Sequence, residues 1–282
     1  MTAKRVFITG GASGLGRALA ERYGRAGWRV CLGDIHEARG TETVAALHAL
    51  GVEAHFLRCD VTQEADLVAA ARWMEERWGG ADLLVNNAGV AVGGAVADVP
   101  IEDWRWVLDI NLLGVVRGCR AFSSIFRRQQ SGHVVNVASL AGLVHPPHLG
   151  PYSAAKAGVV ALSETLRAEL AGDGVKVSVV CPAYFRTNIT ETARFSDPLT
   201  DIEERALVTE AALGAPEVAE LVYRGVQRGD FHIFTDTEGW FGWMAKRLAP
   251  YPVFAWLVKV GTNRKLARVY RRYKQRHENS LV

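Results

Sequence analysis

Thr9-Gly10-Gly11-Ala12-Ser13-Gly14-Leu15-Gly16 lies between an apolar, β-branched run at residues 5–9 and a stretch of helical spacing that ends near Ala26. Nothing else in the chain limits the possible folds as much. A short buried strand, a turn with spaced glycines and a helix together make a phosphate cradle. Glycine lets the chain turn tightly and lets backbone approach a ligand, while the helix N-terminus offers free N–H groups and a partial positive charge. The spacing is G-x-x-x-G-x-G rather than G-x-G-x-x-G, and a plain strand–helix turn is the simpler alternative. With both flanking elements in place, the unit reads as the opening of a dinucleotide-binding fold. Its candidate cofactor contacts are Gly10, Ser13, Gly14, Leu15 and Gly16.

The following elements keep the same alternation. A second strand, Trp28 to Gly33, ends in Asp34, eighteen residues past Gly16. An acid there can hydrogen-bond the adenosine ribose hydroxyls and would repel a 2′-phosphate. The reading is therefore NAD, with NADP as the alternative because Arg39 stands close enough in sequence to reach a phosphate. A helix over 38–50 and a third strand over 53–58 lead to Asp60-Val61. Asp60 is either an adenine contact or a helix cap, a role for which Thr62 competes. A helix over 64–78 and a fourth strand over 82–85 follow. Asn86-Asn87-Ala88-Gly89 then falls at the carboxyl edge, where open parallel sheets bind ligands. Pro100 leads a long helix over 101–128, in which Asn111 is polar among apolar neighbours, as a satisfied buried amide or at a kink. Strands over 132–139, ending in Ser139, and 175–181, stopped by Pro182, precede a helix from Pro216 and a seventh strand over 231–234. The expected class is α/β: a Rossmann-like, doubly wound parallel sheet of about seven strands with helices on both faces.

After the breaker run His145 to Pro151 comes Tyr152-Ser153-Ala154-Ala155-Lys156, opening another helical stretch. Pro151 suits a first helical turn. Residues four apart share a helix face, so Tyr152 and Lys156 project side by side. A phenol titrates near ~10 in water, and an adjacent ammonium favours the phenolate and lowers that value, which would make Tyr152 a general acid/base. By itself the pair fits equally a snorkelling lysine beside a packed ring.

The dispersed set Thr9 to Gly16, Asp34, Asp60, Asn86 to Gly89, Asn111, Ser139, Tyr152-x-x-x-Lys156 and Pro182 to Thr187 resembles the short-chain dehydrogenase/reductase family, over roughly residues 4–235. The resemblance implies that Tyr152 passes the proton to or from the substrate oxygen. It implies that Lys156 lowers the Tyr152 pKa and holds the nicotinamide ribose, that Ser139 hydrogen-bonds the substrate oxygen, and that Asn111 positions a water. Asn87, Ala88 and Gly89 would line the adenosine side, Pro182 the nicotinamide end, and Thr187 would contact the carboxamide. Pro182-Ala183 departs from the family's usual Pro-Gly, and alanine allows fewer backbone conformations than glycine at the nicotinamide contact near Ala183. The resemblance also implies a substrate loop over about 183–213, where Tyr184, Phe185, Ile189, Phe195 and Leu199 suggest an apolar pocket for a hydrophobic ketone or secondary alcohol. It further implies a homodimer or homotetramer through the helices around 101–128 and 151–171. A catalytically idle nucleotide sensor or scaffold of the same fold is the competing reading; the intact set of Asn111, Ser139, Tyr152 and Lys156 argues against it.

Composition settles less. The four cysteines at 31, 59, 119 and 181 stand alone among apolar residues and read as buried reduced thiols. No spacing suggests a metal site. The first residues lack the apolar length of a signal peptide, so the expectation is a cytoplasmic protein. Charge is uneven. Residues 239–282 hold ten Lys/Arg and one acid, a net +9, which leaves −6 on residues 1–238 given +3 overall. The expected division is a single catalytic domain, 1–238, with a basic, aromatic, partly helical extension, 239–282. In the extension Leu266, Val269, Tyr270 and Tyr273 recur at helical spacing. That extension could pack on the pocket or a sister subunit, or touch a membrane surface peripherally. No recognition motif accompanies the charge, so nucleic acid is not expected as a partner.

Overall fold

The computed structural model describes residues 3–258, 260 and 261. In chain order the first elements are β1 (Arg5–Thr9), α1 (Gly14–Arg25), β2 (Arg29–Asp34), α2 (Glu37–Ala49), β3 (Ala54–Arg58), α3 (Glu64–Trp78), β4 (Leu83–Asn86) and β5 (Val92–Gly93). Then come α4 (Ile101–Leu108), α5 (Gly114–Gln129), β6 (Gly132–Val137), α6 (Ala141–Val144), α7 (Gly150–Glu169) and β7 (Val175–Cys181). The last are β8 (Arg194–Phe195), α8 (Pro198–Thr209), α9 (Ala215–Arg228), β9 (His232–Phe234) and α10 (Thr237–Leu248).

Seven strands form one sheet in the order β3-β2-β1-β4-β6-β7-β9, with every pairing parallel. Strand order reverses between β1 and β4, which opens a crevice at the carboxyl edge. Side chains alternate along each strand, so each sheet face has its own core. Phe7, Cys31, Leu84 and Val134 meet α3, α5 and α7 on one face. On the other, Ile8, Leu32, Val85 and Val135 meet Leu19 and Tyr23 of α1, Leu47 of α2 and Val222 of α9.

All seven expected strands are present, each within two residues of its expected bounds. Three local features differ. The long helix over 101–128 is interrupted by a π-turn at Asp109–Leu113, between α4 and α5. The supposed loop over 183–213 contains α8, which starts where Asp197 accepts a hydrogen bond from Thr200 N at 2.8 Å and Pro198 occupies the first turn. Two-residue strands β5 and β8 pair as a separate parallel ribbon, too short to show any period in sequence. Beyond β9, α10 packs Trp243 against His232 and Phe234, with ring centres 4.9 and 5.4 Å apart. Pro250 ends this turn of the chain, residues 251–258 are helical again, and Phe254 is buried. The helix expected around Leu266, Val269, Tyr270 and Tyr273 lies outside the described residues.

Candidate active site and cofactor cleft

A cleft of about 1870 Å³ runs along the carboxyl edge of the sheet. That exceeds the ~300–1,000 Å³ of an ordinary single-ligand pocket, so it has room for a large cofactor and a substrate together. Gly10, Ser13, Gly14, Leu15, Asp34, Asp60, Val61, Asn87, Ala88 and Gly89 line one end; Ser139, Tyr152, Lys156, Pro182 and Thr187 line the other.

Several observations at the first end fit a dinucleotide. Gly14 has φ +51°, and a Cβ there would come within 2.5 Å of Asn188 Oδ1 and 2.8 Å of Thr187 Oγ1. Helix α1 has no acid in its first turn and no side-chain cap, because Ser13 Oγ instead accepts from Asn188 Nδ2 at 3.0 Å. Among the described residues, no carboxylate in the first turn competes for the first N–H groups of the helix. Asp34, almost fully buried, accepts from Ala12 N and His36 N, both at 3.0 Å, which fixes its carboxylate at the rim. Arg39, the residue that could have received a 2′-phosphate, is paired with Glu191 at 2.9 Å. Asp60 Oδ1 accepts from the backbone N and hydroxyl of Thr62, closing a tight turn ahead of α3 rather than capping the helix itself.

Gly16 and Asn111 are placed behind the lining of the cleft. Gly16 does not line the cleft: a Cβ on it would fall 2.0 Å from Gly10 O and 2.6 Å from Asn87 Nδ2. Its smallness serves packing of α1 beneath the turn. Asn87 Nδ2 donates to Thr9 O at 3.0 Å and Gly10 O at 3.1 Å, and Thr9 Oγ1 accepts from Asn87 N and Ala88 N. Asn87 thus ties the glycine turn to the end of β4 as well as facing the cleft. Asn111 is fully buried, and its amide accepts from Val90 N at 2.9 Å and donates to Val90 O at 2.8 Å. It occupies the π-turn and closes the site from behind. A Cβ on Gly89 would lie 3.3 Å from Asn111 Oδ1 and 3.5 Å from Lys156 Nζ, which places the two polar groups as neighbours across that glycine.

At the second end, α7 starts with Pro151 in its first turn and carries Tyr152 and Lys156 on one side. Lys156 Nζ is 5.8 Å from the Tyr152 ring centre and donates to Val137 O at 2.8 Å. Burial dominates both pKa values. The Lys156 ammonium is pushed down to about 8. The Tyr152 phenol is pushed up to about 12, first by burial; a hydrogen bond with Ser139 pulls it back and the Glu204 carboxylate pushes it further up. Burial thus outweighs the expected lowering of Tyr152 by Lys156, whose ammonium is turned to the Val137 carbonyl. Ser139 Oγ accepts from Ala141 N at 3.1 Å, which fixes the hydroxyl beside α6. Beneath, Asn86 Nδ2 donates to Asn136 Oδ1 at 2.9 Å and Asn136 Nδ2 to Ser163 Oγ at 3.0 Å. This buried chain locks α7 onto β4 and β6, so the register of Tyr152 against Ser139 does not depend on the loop between them.

The far end of the cleft is mixed in character. Tyr184, Phe185, Ile189, Phe195 and Leu199 line it, as do Glu203, Glu204 and Glu210. Tyr184 OH donates to both Glu204 oxygens, at 2.9 and 3.2 Å. Arg194, beside Phe195 in β8, turns away to Asp103 at 2.8 Å and stacks on Trp106.

The sequence model of the short chain dehydrogenase family matches residues 4–197. The chain belongs to the short-chain dehydrogenase/reductase family. Among its relatives, 3beta-hydroxysteroid dehydrogenase 1 of Eggerthella lenta is 35% identical over 216 residues, 76% of this chain and 82% of that protein. The probable oxidoreductase EphD of Mycobacterium tuberculosis is 38% identical over 200 residues, 71% of this chain. The match spans only about a third, 34%, of EphD's own length. Among solved structures, a short chain dehydrogenase/reductase from Burkholderia phymatum in complex with NAD superposes with a TM-score of 0.81 at 37% identity, covering 84% of this chain and 90% of that one.

Some cleft residues carry no readable signal in the sequence. Phe241, Lys246, Tyr251 and Phe254 close one wall of the cavity from the C-terminal extension. Lys246 fastens that wall, donating to Leu143 O at 2.5 Å and facing His145 Nδ1 at 2.9 Å. Aromatic content flagged the segment, but no pattern said which rings face inward. The Tyr184–Glu204 pair is equally hidden, because its partners come from the loop after β7 and from α8, far apart in sequence.

Proposed function

We propose that this dehydrogenase transfers a hydride between NAD and a secondary alcohol or ketone, with Tyr152 as the acid/base. The observation that carries the reading is one cleft with the glycine turn and Asp34 at one end and Ser139, Tyr152 and Lys156 together at the other. NAD, when bound, supplies the C4 position of its nicotinamide as hydride acceptor or, reduced, as donor. Gly10, Ser13, Gly14 and Leu15 would hold the diphosphate, with Asp34 on the adenosine ribose and Asp60, Val61, Asn87, Ala88 and Gly89 along the adenosine. Lys156 would hold the nicotinamide ribose, with Pro182 and Thr187 at the carboxamide. NAD is favoured over NADP by the fixed Asp34 carboxylate, by the engagement of Arg39 with Glu191, and by the NAD complex of the Burkholderia relative.

With its phenol pushed up to about 12, Tyr152 is protonated at neutral pH and is loaded to donate as negative charge grows on a carbonyl oxygen. Ser139 donates to the same oxygen, stabilising charge where it develops. In the oxidation direction the phenol must lose its proton, and release of Lys156 from the Val137 carbonyl toward the ring would favour the phenolate. Asn111 holds the Val90 backbone, between β4 and β5, and lies beside Lys156. The apolar rings of the far end, and the steroid named for the Eggerthella relative, support a hydrophobic substrate. The reading includes a catalytic body over 1–238 with an extension over 239–282, assembly into a homodimer or homotetramer, and a cytoplasmic setting suited to four free, buried thiols.

A panel of steroid, fatty and aryl secondary alcohols and ketones, followed by absorbance of the reduced nicotinamide with NAD and with NADP, tests the proposal. Turnover of at least one lipophilic member with NAD is expected. Cofactor binding without turnover across the panel would move the protein to the idle-scaffold reading.

A further inference from the structure

We propose that the outer face of the C-terminal extension seats the protein on an anionic lipid surface, with the mouth of the substrate cavity opening into that surface. The extension's buried requirements are already met: Trp243 packs on His232 and Phe234, and Phe254 is 5% exposed. Its other side nonetheless presents Trp240, Phe241, Leu248, Tyr251 and Trp256 to solvent, with Leu248 and Tyr251 at 77% and 75% exposure. Scattered exposed apolar residues are ordinary; these five and Val253, six within seventeen residues, form a patch that wants a partner.

Position and charge identify that partner. Phe241 and Tyr251 of the patch, with exposed Leu199 of α8, also line the cavity, so the patch is its rim. Residues 239–282 carry a net +9 against −6 on the rest of the chain. Two copies would each carry such a segment, and segments of like charge repel one another. Anionic headgroups meet the charge and the acyl boundary meets the rings, and tryptophan, tyrosine and phenylalanine beside lysine and arginine are the residues of that boundary. No helix among the described residues is long and apolar enough to cross a membrane, so the contact is one of lying on the surface. A lipophilic substrate dissolved in the bilayer would then enter the cavity without crossing water.

The test is flotation of the full chain with vesicles of phosphatidylcholine alone and of phosphatidylcholine with phosphatidylglycerol, at low and high salt. The wild type is expected to float with the anionic vesicles and to be released by salt. The double variant Trp240→Ser, Trp256→Ser, neither of which lines the cavity, is expected to partition at least roughly tenfold less. In the wild type, brominated lipid is expected to quench tryptophan fluorescence on binding, a readout that needs no variant. Absence of flotation at low salt, or flotation by charge alone without quenching, overturns the proposal. So does a wild-type dimer that ignores vesicles and becomes monomeric in the double variant, which would assign the face to a second copy.

Discussion

Gly16→Ala separates two readings of the glycine turn. If Gly16 exists to let backbone approach a phosphate, an alanine harms cofactor binding and leaves stability alone. The structure says otherwise. The added Cβ would lie 2.0 Å from Gly10 O and 2.6 Å from Asn87 Nδ2, and Asn87 Nδ2 is the donor that binds Thr9 O and Gly10 O. Backbone must move, and the clamp between β1 and β4 moves with it. Overpacking costs about 1–3 kcal/mol, loss of the two hydrogen bonds costs about 1 kcal/mol each, and alanine recovers about 1 kcal/mol as a better helix former. The net is a destabilisation of roughly 3 kcal/mol, a large part of the ~5–15 kcal/mol typical of a domain. Gly172→Ala is the control: no atom lies within 4 Å of its Cβ position, and a surface change of this kind stays within about 0.5 kcal/mol. Urea unfolding of both variants, with NADH fluorescence titrations alongside, gives the comparison. If Gly16→Ala unfolds with Gly172→Ala and only its NADH affinity falls, the packing argument is refuted.

His133 predicts an acid-sensitive sheet. Its ring lies against Ser178 Oγ at 2.8 Å, and burial pushes it down from 6.5 to about 4. The unfolded chain therefore binds the extra proton first, so this contribution is complete above pH 6.5 and is lost as pH falls from 6.5 to 4, by about 3 kcal/mol in all. In His133→Phe the difference in urea stability between pH 7 and pH 4.5 should shrink by most of that amount; an unchanged difference rejects the assignment. Asp34→Ser should relax cofactor choice: a carboxylate about 5 Å from a 2′-phosphate at an effective dielectric of about 20 repels it by about 3 kcal/mol per charge, roughly 100-fold. NADPH affinity measured by fluorescence should rise by that order, and a variant no better with NADPH would contradict the role. Lys156, pushed down to about 8, is charged below that pH and neutral above it. NADH affinity should accordingly weaken as pH rises from 7 to 9 in the wild type and show no such slope in Lys156→Met.

What the sequence revealed and what it hid divide along physical lines. Strands buried on both faces must be continuous apolar runs, so β1 to β9 of the main sheet were readable to within two residues. The four-residue spacing of Tyr152 and Lys156 was readable because helix geometry fixes which side chains are neighbours. Asn111 was visible as an anomaly, but the π-turn was not, since it is made by an amide reaching the backbone of Val90 from another part of the chain. The same holds for Gly16, whose neighbours come from the turn and from β4. The direction of the Tyr152 shift is set first by burial, which no spacing encodes. Helix α8 did announce itself, through Asp197-Pro198 before Thr200, yet the run of charged and apolar residues around it masked the cap. The cavity wall from α10 onward needed the fold first.

The central claim, a proton-bearing Tyr152 and a hydride path meeting in one cleft, is tested most directly by Tyr152→Phe. With a turned-over substrate in hand, the variant should lose at least roughly 10³-fold in kcat while binding NADH as the wild type does. A Tyr152→Phe protein that turns over at the wild-type rate would contradict the account.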